Sequence, residues 1–493
     1  MPLPPPPPPP AAPTGSTPAP TRHPRDVALG VAIALLLVVG SVAAVVKVND
    51  PARGHPKEWD PRVADLAAFV ERARGLDFDH PVPVDFLSAA EYTKATTGDG
   101  AELGKEETAE LDQQGAQLRA FGVASGKIDL AAAFNQVNDA GTLAFYDPSD
   151  QRVRVRGTEV SVGLKVTLVH ELTHALQDQH FDLDHLLGSS KDNGAATARR
   201  ALAEGDAIRI EEDYVNDELS TKEQDEYDDE YQGSVDESVA GTADVPDFVS
   251  ASFGIPYALG PPFVTMLVDD GGNAGVDQAF DDPPSTEEHL FDPASYLAKE
   301  GGKAPDLGLD DDDDSVQVEG PLGSPSWFLI LAQRMDPAQA FEAALGWNGD
   351  DYASYERGGT TCVRAVFRGD TEDDEREMSA ALDAWAAGLP GGKAKRVDVK
   401  GHPGLDSCDP GEDVQIPLAK SSTDLLLLPN TWGYLEAETA RALGPEGSRC
   451  FAQKILEGIG FDRLVDPAQQ DALIEEVQAK ASAASSACGS ADR

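Results

Sequence analysis

The spacing of hydrophobic positions changes several times along this chain, and each change predicts an element. Residues 27–46 are apolar throughout, twenty positions of Val, Ala, Leu, Ile, Gly and Ser. A helix of that length, rising about 1.5 Å per residue, spans about 30 Å, the hydrocarbon thickness of a bilayer. The pattern predicts an uncleaved anchor over 27–47, in preference to a signal peptide with its shorter apolar stretch and small-residue cleavage site. Residues 1–26, with prolines unbroken from Pro4 to Pro10, predict an extended cytoplasmic tail that forms no core. After the anchor, residues 58–95 predict short helices interrupted at Pro81 and Pro83, and 96–130 are mixed and punctuated by glycine.

A stronger signal starts at residue 143. Residues 143–146 and 151–156 predict strands, the second alternating Arg152, Val153, Arg154, Val155, Arg156, with Asp147-Pro148-Ser149-Asp150 as the turn. The strand ahead of the next helix is expected to present an edge to which an extended peptide can add. The period then becomes helical. Leu164, Leu168, Leu172, Ala175 and Leu176 share one face, and Ser161 is a plausible N-cap. The other face carries His170-Glu171-Leu172-Thr173-His174. Residues four apart stack on a helix, so both imidazoles can reach one metal ion. Glu171 lies about 100° to one side, placed to touch an attacking water without ligating the metal, and is the candidate general base. Bare HExxH also arises by chance on surface helices. Here the opposite face is apolar, and four of the nine histidines fall between His170 and His185.

A hydrolytic zinc site needs a third protein ligand and an open position. His180 stands where HExxHxxGxxH patterns put a third histidine, but the helix-breaking glycine of that pattern is Gln177 here. If the helix continues, His180 points about 240° away from His174. The other candidate is Glu204, in an Ala-rich helix-compatible stretch after the polar turn 188–194. HELTH followed some 30 residues later by Glu204 is similar to the gluzincin branch of zinc metallopeptidases. Residues 169–183 (VHELTHALQDQHFDL) with ALAEGDA at 201–207 resemble a group of bacterial metallopeptidases, over roughly residues 140–300. The resemblance implies a zincin-like catalytic domain in an α+β chain, Zn2+ on His170, His174 and Glu204, Glu171 as base, and a peptide or protein substrate. One departure matters. Better-known gluzincins carry an acid four residues after the third ligand, orienting a histidine; that position is Ile208, so Asp206 or Asp178 is expected to orient instead, Asp178 being better placed one turn after His174.

Residues 245–300 are again apolar and helix-like; Tyr257 and His289 are oxyanion candidates by residue type alone, with packing the more ordinary role. Residues 300–315 predict an acidic linker, and 316–493 a C-terminal α+β lobe. Its predicted elements are a helix over 325–345, strands at 352–355, 361–368, 397–399, 414–418 and 425–428, a helix over 372–387, and a closing helix over 467–481 capped by Asp466. The domain reading is therefore tail 1–26, anchor 27–47, catalytic domain 48–299, linker 300–315 and lobe 316–493. No repeat of solenoid period, GxGxxG or P-loop is present.

A net charge of −48 argues against nucleic acid and against an anionic membrane surface as partners. Residues 211–237 and 310–314 are the densest acidic stretches and predict solvated loops; neither matches an EF-hand calcium loop. All four cysteines lie in the last third, and shorter loops favour Cys362 with Cys408 and Cys450 with Cys488. Paired cysteines and a short N-terminal tail fit a single-pass chain with its N-terminus inside and its catalytic domain outside. Two other readings stay open: a zincin-shaped surface protein that binds without cleaving, and a zinc amidase acting on cell-wall crosslinks.

Overall fold

The computed structural model describes residues 54–97, 105–139, 143–188, 193–309 and 314–489. The proline-rich tail, the expected anchor at 27–47 and most of the acidic run at 310–314 lie outside the described residues. The fold is mixed helix and strand. Helix α1 (Ala64–Arg74) closes on Gly75 in the left-handed conformation. Strand β1 (Val84–Leu87) and helices α2 (Ala89–Thr97), α3 (Lys105–Ala120) and α4 (Leu130–Asp139) follow, then β2 (Ala144–Asp147) and β3 (Arg152–Arg156).

The two expected strands form, with the turn between them. They join β1 in a sheet ordered β1-β3-β2, β1 parallel and β2 antiparallel to β3. The strand ahead of the metal-motif helix is therefore the middle one, and the edge beside that helix is β2. β1 was not anticipated because Pro81 and Pro83 read as a break, whereas they lead the chain into a strand. The alternation of β3 decides its faces: Val153 and Val155 are fully buried, while Arg152 pairs with Asp85 and Arg154 with Asp147 and Asp150.

Helix α5 (Val162–Phe181) carries the motif; the Ser161 hydroxyl accepts from the Leu164 N–H as expected of a cap. A short helix α6 (Leu183–Gly188) precedes α7 (Asn193–Asp217), α8 (Thr221–Gly241) and α9 (Asp247–Gly271). The acidic stretch 211–237, expected as loops, is helical. A capping box between Ser220 and Glu223 starts α8, buried Tyr227 and Ser238 hold one face, and Glu230 accepts from Ser161 Oγ and Gly163 N at the start of α5. Charge density alone does not separate a solvated loop from a helix with one buried face.

α9 is the one helix among the described residues long and apolar enough to cross a membrane, but 78% of its apolar window is buried inside the protein. It serves as a core helix here. Pro262 removes the amide that would bond the Ala258 carbonyl, and Asn430 Nδ2 from a later helix supplies the missing donor at 2.6 Å.

Next come α10 (Asn273–Asp281), α11 (Glu288–Phe291), α12 (Pro293–Ala298), β4 (Asp314–Gly320), α13 (Gly323–Ala332), α14 (Pro337–Leu345), β5 (Trp347–Arg357), β6 (Thr360–Gly369), α15 (Glu372–Gly388), β7 (Ala394–Val399) and β8 (His402–Cys408). The helix expected over 325–345 is two helices, because Asp336 caps a new start with Pro337 at its first position. The strands form one sheet, β4-β5-β6-β8-β7. β8, unpredicted, has no period-2 pattern because its interior residues are buried on both faces. Residues 414–418 form no strand, and 425–428 are helical, at the junction of α16 (Ser422–Leu425) and α17 (Leu427–Leu456). A short apolar run does not distinguish the two states. A one-turn helix, α18 (Phe461–Leu464), precedes the closing turn capped by Asp466 and α19 (Gln470–Cys488). Both expected disulfides are present: Cys362–Cys408 joins directly opposed residues of β6 and β8, and Cys450–Cys488 ties α19 to α17.

The hydrophobic core is continuous across residue 300. Leu202, Leu259 and Phe263 share one buried cluster with Trp327, Phe328 and Trp432. Where α11 and α12 meet α17, the contact is acidic. Glu288, Asp292 and Glu436 are buried, and Glu436 is hydrogen-bonded to Asp292. Arg449 pairs with Asp292 and Glu300. Burial pushes Glu288 up to about 9 and raises Asp292 and Glu436 as well. An acid that titrates higher in the folded state stabilises fully below its unfolded pKa, and that contribution is lost as pH rises to the folded value. Glu288→Gln removes the titration at constant size. Relative to wild type its stability should climb by on the order of 3 kcal/mol between about pH 5 and pH 8. Paired thermal melts read this directly, and a pH-independent difference would contradict it.

Candidate metal centre

α5 and α7 lie side by side and bring together residues 30 or more positions apart. His170 Nε2 and His174 Nε2 are 3.0 Å apart, and each is 3.2 Å from Glu204 Oε2. These three can hold a metal ion. Three potential donor atoms crowd around one point, an arrangement that favours a shared cation. His170 and Glu204 are buried, and the His174 side chain, 13% exposed, is the outermost of the three. His180 turns away, as the helical argument expects: its Nε2 meets the Asp77 carbonyl at 2.9 Å on the surface.

The centre is rich in carboxylates, with Arg200 Nε 3.6 Å from Glu204 Oε1 as the neighbouring cation. Glu171, Glu204 and Glu211 are all buried around two histidines. Burial alone would lower the His170 pKa, but Glu204 and Glu211 outweigh it and hold His170 up at about 10. Burial pushes Glu171 up to about 7 against the pull of the two histidines. Glu204 is held well below the carboxylate range, because the histidines more than offset its burial.

Glu171 is pinned from the sheet. Arg156 N donates to Leu143 O, so with the antiparallel register Tyr146 sits at a position whose backbone groups point away from β3. Its N–H donates to Glu171 Oε2 at 2.6 Å, and its hydroxyl donates to Asp178 Oδ2 at 2.8 Å. Asp178 also accepts from the Leu183 N–H. It therefore anchors Tyr146 and the end of α5, where the sequence suggested that it orients a ligand histidine.

The histidine-orienting groups are others. Glu211 Oε2 is 3.1 Å from His170 Nδ1, and its other oxygen accepts from the Tyr227 hydroxyl at 3.2 Å. Gln177 Oε1 is 2.9 Å from His174 Nδ1. Asp206 lies one contact further out, accepting from Gln177 Nε2 at 3.0 Å. Glu211 follows Glu204 by seven residues, two helical turns, and so shares its face. That spacing is visible in the sequence, but it falls in a stretch whose charge density reads as an acidic loop.

Tyr257 and His289 part company. Tyr257, on α9, donates to Glu204 Oε1 at 2.8 Å, leaving Oε2 for the metal face. His289 meets the Glu300 carbonyl at 2.9 Å and packs on Tyr296 beneath the later helices. What brings Tyr257 so close is a backbone crossing. A Cβ on Gly205 would lie 2.4 Å from Gly260 O, and one on Gly260 would lie 2.3 Å from Ala201 O. Gly205→Ala should therefore force α7 from α9, cost about 1–3 kcal/mol, and weaken metal binding through Glu204. Gly233→Ala, on α8 with nothing near its added methyl, should be neutral or slightly stabilising. Melting curves and metal titrations of the two variants test the contrast; equal behaviour would contradict it.

Comparison with protein-family models, with curated proteins and with solved structures returns no match to this chain.

Proposed function

We propose that this chain is a zinc-dependent metallopeptidase with a zincin-like catalytic domain. The observation that carries the reading is the convergence of His170, His174 and Glu204 beside a separately held Glu171. The donor set suits zinc: two imidazoles and a carboxylate, as in hydrolytic sites that keep a position open. Tetrahedral bonds of about 2.1 Å put donor atoms about 3.4 Å apart, close to the 3.0–3.2 Å separations here. When bound, zinc supplies Lewis acidity, polarising a carbonyl and making water acidic.

The remaining steps belong to the chain. Tyr146 N–H occupies Glu171 Oε2 and leaves Oε1 to accept a proton from the attacking water. Glu171 then returns that proton to the leaving amine. β2 is the edge on which an extended peptide would be laid. Tyr257 fixes Glu204, while Glu211 and Gln177 fix the two imidazoles. We also propose that residues 27–46 anchor the chain, with the N-terminus inside and residues beyond Lys47 outside. The two disulfides support export.

One observation favours a second reading. His170, Glu171 and Glu204 are all nearly inaccessible, as in a zincin-shaped protein that binds partners without cleaving them. Glu171→Gln separates the two. In the enzyme it should retain zinc and lower peptide cleavage by about 10²–10⁴-fold or more, since the base is lost and no ligand is touched. Wild type and variant both leaving a peptide library intact would favour the binder. The topology has its own check: protease added outside intact cells with a permeable outer layer should digest the domain beyond Lys47, and full protection would refute the export.

A further inference from the structure

We propose that Arg74, on the first described helix, is a positioning residue for the metal ligand His174, acting through Asp206 and Gln177. The inference rests on the metal-centre reading above and extends it to a part of the chain remote from the motif.

The chain of contacts is continuous and buried. Arg74 Nε donates to Asp206 Oδ2 at 2.8 Å, and both side chains are fully inaccessible. The same Asp206 oxygen accepts from Gln177 Nε2 at 3.0 Å, and Gln177 Nε2 also donates to the Ala203 carbonyl at 3.0 Å. Two acceptors on that side of the amide leave no choice of orientation. The NH₂ must face Asp206 and Ala203, so Oε1 must face His174. Oε1 can only accept, so His174 must carry its proton on Nδ1, at 2.9 Å. The Nε2 lone pair is thereby left toward Glu204 and His170. Without a carboxylate at 206 only the Ala203 carbonyl would oppose a turn of the amide that presents its NH₂ to His174 and favours the tautomer that cannot ligate through Nε2.

Arg74 keeps that carboxylate in place. It also pairs with Asp277 on α10, while Arg209 holds the other oxygen of Asp206 at 2.8 Å. The partner of His170 is organised differently: Glu211 lies on α7 itself, two turns from Glu204. The two histidines thus have separate supports, and only His174 depends on α1.

The test uses the full chain loaded with Co2+, whose paramagnetism shifts each ligand imidazole's exchangeable N–H proton far from the rest of the spectrum. Wild type should show two such protons. Gln177→Leu should remove the His174 signal and so assign it. Arg74→Met should broaden or remove that same signal, leave the His170 signal in place, and weaken Zn2+ and Co2+ binding by about 10–100-fold. Arg74→Lys, which keeps a cation beside Asp206, should recover most of both. A folded Arg74→Met variant with both signals and unchanged affinity would overturn the proposal. If Arg74→Met does not fold, Gln177→Leu and Arg74→Lys decide: both signals persisting in Gln177→Leu, or the His174 signal absent in a folded Arg74→Lys, would overturn it. Failure of wild type to bind either metal would instead sink the metal-centre reading, and this proposal with it.

Discussion

The backbone crossing of α7 and α9 is the constraint on which the centre depends. At Gly205 and Gly260 the two helices approach until no side-chain carbon fits between them. At that separation the Tyr257 hydroxyl reaches Glu204. With Tyr257 on one oxygen, Glu204 turns its other oxygen to His170 and His174. The same α9 is braced from behind, where Asn430 satisfies the carbonyl that Pro262 orphans and Gly433 lets α17 lie against that proline. The later helices thus support the candidate centre without contributing a residue to the His170, His174 and Glu204 group.

Electrostatics and packing act together at the centre. Three buried carboxylates around two histidines are unfavourable unless positive charge is brought in. Arg200 beside Glu204 and the raised pKa of His170 answer part of that demand, and a bound cation would answer it more fully. Each group at the candidate centre is fixed through its far side: His170 by Glu211, His174 by Gln177, Glu204 by Tyr257, and Glu171 by the Tyr146 amide. Such supports restrict the donor atoms before any metal arrives, which reduces the ordering needed on binding.

Much of the centre was legible in the sequence because it is local. The i, i+4 histidines, the apolar stripe and the Ser161 cap are periodic features of one helix, and helical geometry disposes of His180. The supports were less legible because they are tertiary. Glu211 lay in a run read as solvated, although its two-turn spacing from Glu204 was open to view. Gln177 appeared only as a missing glycine, and Arg74 had no local signal at all. In the C-terminal half, β6 and β7 announced themselves by β-branched residues and β5 by the aromatics Tyr352 and Tyr355. β8 and the helix at 425–428 did not, since burial on every side erases the period. Both cysteine pairings followed from loop length, and the register of β6 and β8 shows why the first forms.

X-ray absorption at the zinc edge, on the full chain purified with zinc, reads the donor set itself. One zinc per chain, bound by two imidazoles and one carboxylate oxygen among light-atom ligands, is the expected result. The imidazole scattering should fall to one in His174→Ala and remain at two in His180→Ala. A third imidazole in wild type, sulfur in the shell, or no bound zinc would contradict it.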